Sequence, residues 1–122
     1  MSFLVQKYGG TSVGNPERIR NVANRVAESH KEGHKLVIVV SAMSGVTDSL
    51  IKLAREVNPE ATAREVDVLL STGEQQTIAL LALALHGLNV PAVSLTGAQA
   101  GIVTDRIHTK AKILNITPKK VF

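Results

Sequence analysis

The stretch "FLVQKYGGTSVGNPERIRNVANRV", residues 3–26, decides how the rest of the chain is read. Its apolar start, Phe3–Lys7, reads as a short buried strand. Gly9-Gly10-Thr11-Ser12 follows, a loop almost stripped of side chains. Asn15 then suits a helix cap, Pro16 the first helical position, and Glu17 the positive helix end. Ile19, Val22, Ala23, Val26 and Ala27 recur at helical spacing on one face, and Gly33 closes that helix. A strand, a glycine loop and a helix start, with Lys7 beside them, make a place where an anion can sit. Open backbone lets N–H groups approach phosphate oxygens, and the helix N-terminus adds positive potential. The same residues also serve as a tight turn with a surface lysine. Neither G-x-x-x-x-G-K-[ST] nor G-x-G-x-x-G is present.

Outward from this unit, element types alternate. Leu36–Val40, "LVIVV", is a β-branched run buried on both faces, as in a parallel strand. The loop "SAMSGVTD", residues 41–48, leads to a helix marked by Leu50, Ile51, Leu53, Ala54 and Val57 and broken by Asn58-Pro59. Thr62-Ala63-Arg64-Glu65 fits a capping box for a third helix, with Val66, Leu69 and Leu70 as its apolar side. "STGEQQ", residues 71–76, is expected to interrupt it, and a further apolar helix runs to His86 with Gly87 as its stop. Val90–Leu95 is a strand candidate limited by Pro91, and Ile102–Thr104 and Lys112–Ile116 are two more. The pattern predicts an α/β sandwich around a mainly parallel sheet. Thr117-Pro118 reads as a helix start with four residues after it, so the chain is expected to be a piece of a larger domain.

Composition narrows the function classes. The 122 residues fit one domain, with 44% apolar and 20% charged residues and no cysteine. A disulfide framework and a thiolate metal site are thereby excluded, and a reducing, cytoplasmic setting is expected. No signal-peptide pattern opens the chain. Its longest apolar run, Ile78–Leu85, is eight residues against the roughly 20 of a membrane span, so a buried helix and no membrane are expected. The net charge of +4 raises the question of nucleic acid. With Phe3, Tyr8 and Phe122 as the whole aromatic set, no stacking platform exists, and no nucleic-acid partner is expected. His30 and His34 lie four apart, but Gly33 should end the helix between them and no acidic cluster joins them. No metal site is expected from these residues.

Two further loops carry polar groups suited to a small ligand. "SAMSGVTD" offers the hydroxyls of Ser41, Ser44 and Thr47 and the open backbone of Gly45, although Thr47 or Asp48 also serves as a cap. In "STGEQQ", Glu74 can receive an ammonium group, while Ser71-x-x-Glu74 is itself a capping-box pattern. Ligands of open α/β sheets gather at the carboxyl ends of strands, where these loops are expected.

Taken in order, "KYGGTSVG", "VVSAMSGVTD", "STGEQ" and "GIVTDRIHTKAKI" resemble the N-terminal part of the aspartate kinases, within the amino acid kinase family. The resemblance spans essentially the whole chain. It implies a three-layer αβα sandwich, incomplete here, and ATP-dependent phosphorylation of L-aspartate to 4-phospho-L-aspartate, with Mg2+ as the family's metal. That reaction leads to lysine, threonine and methionine. By the same resemblance, Lys7 contacts the transferred phosphate as the catalytic cation, and Gly9, Gly10, Thr11 and Ser12 form the ATP phosphate loop. Ser41, Thr47 and Glu74 belong to the aspartate site. Ala98 in "TGAQAG" departs from the larger residue often found in relatives. The family's later "GRGGSD"-like loop, its "TDVDG"-like nucleotide segment and its regulatory domains have no counterpart here. Residues 1–122 are therefore expected to form the phosphate-acceptor half of a kinase domain, inactive by itself and self-associating. The alternatives are a non-catalytic binding or oligomerisation module, or another acyl-phosphate-forming amino acid kinase.

Overall fold

Strands β1 (Phe3–Tyr8) and β2 (Lys35–Val40) pair in parallel from Phe3↔Lys35 to Tyr8↔Val40. A parallel pair needs a crossover, and helix α1 (Pro16–Lys31) supplies it. The computed structural model describes residues 2–104 and 113–116. The α1 N-terminus forms as the sequence dictates: Asn15 is extended and its side chain accepts from the Arg18 N–H at 2.9 Å, with Pro16 next in line. Such a cap contributes about 1 kcal/mol. At the other end Gly33 takes φ +91°, a left-handed conformation that glycine adopts without a steric penalty.

Helices α2 (Val46–Val57) and α3 (Ala63–Gly87) follow. The core lies between the sheet and the helices. Val13, Ile19, Val22, Ala23 and Val26 meet Leu81 and Leu85 of α3, together with Val90. Tyr8, Leu36, Ile38 and Val40 close it from the sheet. One sheet face is therefore covered by α1 and α3. The other carries Phe3, Val5 and Val39, which are 44%, 66% and 46% exposed. Among the described residues no helix covers that second face, so two of the three expected layers are present. Strands β3 (Ile102–Thr104) and β4 (Ile113–Ile116) form a separate antiparallel pair with an irregularity between Val103 and Thr104. The architecture is an incomplete α/β fold of the expected type.

Several local expectations change. α2 starts two or three residues early: Gly45, at φ +82°, holds the cap position, and Thr47 and Asp48 lie inside the first turn rather than capping it. Thr62 does precede α3, but its side chain makes no cap bond, and Glu65 pairs with Arg64 instead. α3 is one helix of 25 residues, and "STGEQQ" runs through its middle. Its buried positions are Gly73, Thr77, Leu81 and Leu85, four apart, so the inward stripe passes through small residues that do not read as apolar. Ser71 returns its hydroxyl to the Val68 carbonyl at 2.7 Å, an intrahelical bond rather than a cap. By length and composition α3 could cross a membrane. Here it packs along α1 and α2. Gly87 is its last helical residue, and the left-handed residue that turns the chain is Asn89 (φ +59°). Val90–Leu95 forms no strand. Pro91 cannot donate to a ladder, Val90 is drawn into the core, and the Ala92 carbonyl is held by His86 Nε2 at 2.9 Å. The expected helix start at Thr117-Pro118, and Lys112 of the last strand candidate, fall outside the described residues.

Candidate functional site

The in-register pairing of β1 and β2 brings two of the loops out side by side. β1 ends at Tyr8 and β2 at its partner Val40, and the Ser41 N–H donates to the Tyr8 carbonyl at 3.2 Å, extending the ladder by one bond. Lys7 sits one residue before the strand end, exposed, on the face that bears Phe3 and Val5. No protein partner holds its ammonium group among the described residues.

The glycine loop then turns tightly. The Ser12 N–H donates to the Gly9 carbonyl at 3.1 Å and the Val13 N–H to the Gly10 carbonyl at 3.3 Å. These two amides are thus committed to the turn. The N–H groups of Gly9, Gly10 and Thr11 have no protein acceptor among the described residues. Ser12 can reach a ligand only through its exposed hydroxyl. A phosphate-binding role for this loop would rest on three amides, two hydroxyls and Lys7.

The two glycines do different jobs. A Cβ at Gly9 would meet nothing within 4 Å, so its open side is available to a ligand. A Cβ at Gly10 would come within 2.9 Å of the Ala42 carbonyl oxygen, a contact that real side chains do not make. Gly10 therefore lets the first loop lie against the second. The Ser44 N–H seals that contact by donating to the Gly10 carbonyl at 3.2 Å.

The third motif joins from the other side of Ala42. A Cβ at Gly73 would lie 3.2 Å from the Ala42 Cβ and 3.1 Å from Val46 Cγ1. Gly73 is the notch through which α3 approaches the second loop and the start of α2. Gly10, Ala42 and Gly73, one from each motif, form a continuous packed line. Glu74 follows Gly73 on α3, is exposed, and has no hydrogen-bond or ion-pair partner among the described residues. Thr47 is exposed in the first turn of α2, and Ser41 is half-buried at the end of β2. All the site residues named from the sequence thus stand on elements that meet at the carboxyl end of the sheet.

One residue that sequence reasoning passed over belongs to the same region. Arg18 Nη1 donates to the Thr11 carbonyl at 2.8 Å. Tyr8, Ser12, Asn15, Arg18 and Arg25 line an open groove of about 500 Å3 along the first turns of α1. Arg18, Arg20 and Arg25 read as the solvated side of an amphipathic helix, and nothing in the spacing marks Arg18. No group of three His, Asp or Glu side chains able to hold a metal exists among the described residues.

Comparisons with known proteins agree with this fold. The family model described as the amino acid kinase family matches residues 2–121. An aspartokinase from Geobacillus stearothermophilus is 53% identical over 121 residues, 99% of this chain and 30% of its own length. An aspartate kinase from Stutzerimonas stutzeri is 54% identical over 99% of this chain and 29% of its own. The crystal structure of aspartate kinase from Synechocystis superposes with a TM-score of 0.78 at 50% identity, covering 88% of this chain and 19% of that one. The chain spans about 30% of the length of the curated relatives it matches. With a strand–glycine loop–helix unit, three motifs packed at one sheet end and a family match along nearly its whole length, this chain belongs to the amino acid kinase family.

Proposed function

We propose that the chain is the N-terminal, phosphate-acceptor half of an aspartate kinase, which transfers the γ-phosphoryl group of ATP to the side-chain carboxylate of L-aspartate. The observation that supports this reading is the packed line Gly10–Ala42–Gly73, in which the two loops and the middle of α3 meet. The aspartate carboxylate is ionised at neutral pH, with a reference pKa of about 3.9, so no general base is required. A carboxylate oxygen attacks the γ-phosphorus, the bond to the bridging oxygen breaks, and ADP leaves with that electron pair. What the protein must supply is alignment and charge neutralisation. Lys7 is assigned to the charge on the transferred group, and the free amides of Gly9, Gly10 and Thr11, with the Thr11 and Ser12 hydroxyls, to the phosphate chain. Ser41, Thr47 and Glu74 are assigned to L-aspartate, Glu74 to its ammonium group. Mg2+ accompanies ATP in such reactions and binds largely through phosphate oxygens. The described residues offer it no ligand cluster, and no step here is routed through it. The adenine site and regulatory domains are assigned to the part of the relatives that this chain does not span. The product, 4-phospho-L-aspartate, would feed lysine, threonine and methionine synthesis in the cytoplasm, and the assembled enzyme would be a homo-oligomer, away from membranes and nucleic acid.

The test is a chimera in which residues 1–122 replace the matching segment of the Geobacillus stearothermophilus aspartokinase. Aspartate-dependent ADP formation in a coupled assay is the expected result. A folded chimera that turns over no ATP with aspartate would overturn the reading. The exposure of Val5 and Val39 on the sheet face that no helix covers among the described residues favours a second reading for the chain in isolation, a non-catalytic association module. In that case the chimera would be inactive and the 122-residue chain would still assemble.

A further inference from the structure

Arg18 breaks a local rule. It holds the third position of α1, after Asn15, Pro16 and Glu17, where a helix favours Glu or Gln and where a cation meets the positive end of the dipole. A residue that violates its local preference calls for a compensating contact. Arg18 makes one: its guanidinium donates to the Thr11 carbonyl at 2.8 Å, seven residues back. Its own backbone is fixed at the same time, since its N–H donates to Asn15 Oδ1 at 2.9 Å.

We propose that Arg18 is a positioning residue that locks the Thr11–Ser12 peptide and, through the Ser12 bond to the Gly9 carbonyl, fixes the direction of the free Gly10 amide. This rests on the reading of the loop as a phosphate site. The peptide unit is planar, so its carbonyl and N–H point in opposite directions as one rigid body. The Ser12 N–H is bonded to the Gly9 carbonyl at 3.1 Å and the Thr11 carbonyl to Arg18. Held at both ends, this plane cannot flip. The Ser12 N–H of this held plane in turn fixes the Gly9 carbonyl, and with it the free Gly10 N–H on the far side of the same peptide, so that this donor keeps one orientation before a ligand arrives, which is the condition for strong stabilisation of phosphoryl charge. The other ties of the loop, at 3.3 Å from Val13 and 3.2 Å from Ser44, both end on the Gly10 carbonyl and leave the Thr11–Ser12 plane untouched.

The experiment uses the 15N-labelled chain with Arg18→Met, which keeps the aliphatic stem, and Arg18→Lys, which restores a cationic donor. Amide exchange at Ser12 and at Val26, in the middle of α1, is followed together with binding of tripolyphosphate. Arg18→Met is expected to speed Ser12 exchange about tenfold, the size of a lost charge-assisted bond, and to weaken tripolyphosphate to a similar degree. Val26 should be unchanged, and Arg18→Lys should recover most of both losses. Unchanged Ser12 exchange, or Val26 losing protection in step with Ser12, overturns the proposal alone. If tripolyphosphate moves no amide of Gly9–Thr11 in the unaltered chain, the proposal falls together with the phosphate-loop reading.

Discussion

Gly9 and Gly10 are neighbours with opposite reasons for being glycine, and single substitutions separate them. Gly9→Ala adds a methyl group to empty space, so it should leave the thermal midpoint nearly unchanged and act through the ligand, raising the KM for ATP in the chimera. Gly10→Ala drives a methyl group to 2.9 Å from the Ala42 carbonyl oxygen, so it should destabilise by about 1–3 kcal/mol. Melting curves for the two variants decide this, and equal losses would refute the division. Lys7→Ala removes a solvent-facing side chain and should spare the fold while lowering kcat in the chimera by roughly 100-fold or more, about 3 kcal/mol of transition-state stabilisation. Near-normal turnover would remove Lys7 from the mechanism. Glu74→Gln is now a cleaner probe than its sequence suggested. Glu74 caps nothing, so a rise in the KM for aspartate, with kcat and stability held, would report only its binding role.

At the scale of elements, α3 is the informative case. A continuous helix through "STGEQQ" predicts that Gln75→Pro costs about 3 kcal/mol or more, because it removes an interior hydrogen bond and clashes with the preceding turn. A helix interrupted there would tolerate proline, so a chemical denaturation curve distinguishes the two. The start of this segment reads as a cap in sequence because Ser71 and Glu74 have the right spacing, and spacing alone does not say whether the backbone before them is already helical. Its inward stripe was hidden for a related reason: Gly73 is small where two elements nearly touch, and the buried Thr77 returns its hydroxyl to the Gly73 carbonyl, neither of which hydropathy registers. By contrast β1, α1 and β2 were legible almost to the residue, since cap, proline, apolar period and terminal glycine all agree there. The loops of the candidate site were legible as a set. Their mutual contact through Ala42 was not, because an alanine carbonyl carries no signature in a sequence.

For the molecule as a whole, the decisive feature is the sheet face that no helix covers among the described residues. Phe3, Val5 and Val39 lie together there, and exposed apolar sheet surface with open edges promotes pairing. The 122-residue chain should therefore sediment as a dimer or larger species, and Val5→Glu should shift it toward monomer without lowering its helicity. A monodisperse monomer at micromolar concentration would contradict this. The same chain should show no aspartate-dependent ATP turnover by itself, because it spans about 30% of the length of its relatives and misalignment of a substrate alone can cost about 100-fold. The parallel ladder has a consequence in time. Its partners are 32 positions apart, Lys35 against Phe3, and the contact of Gly10 with Ala42 and Ser44 is complete once residue 44 exists. A ribosome adding about 5–20 residues per second makes the segment from Phe3 to Ser44 in several seconds. The glycine loop can thus acquire its shape on the nascent chain, with α3 arriving later to press Gly73 against a surface already built.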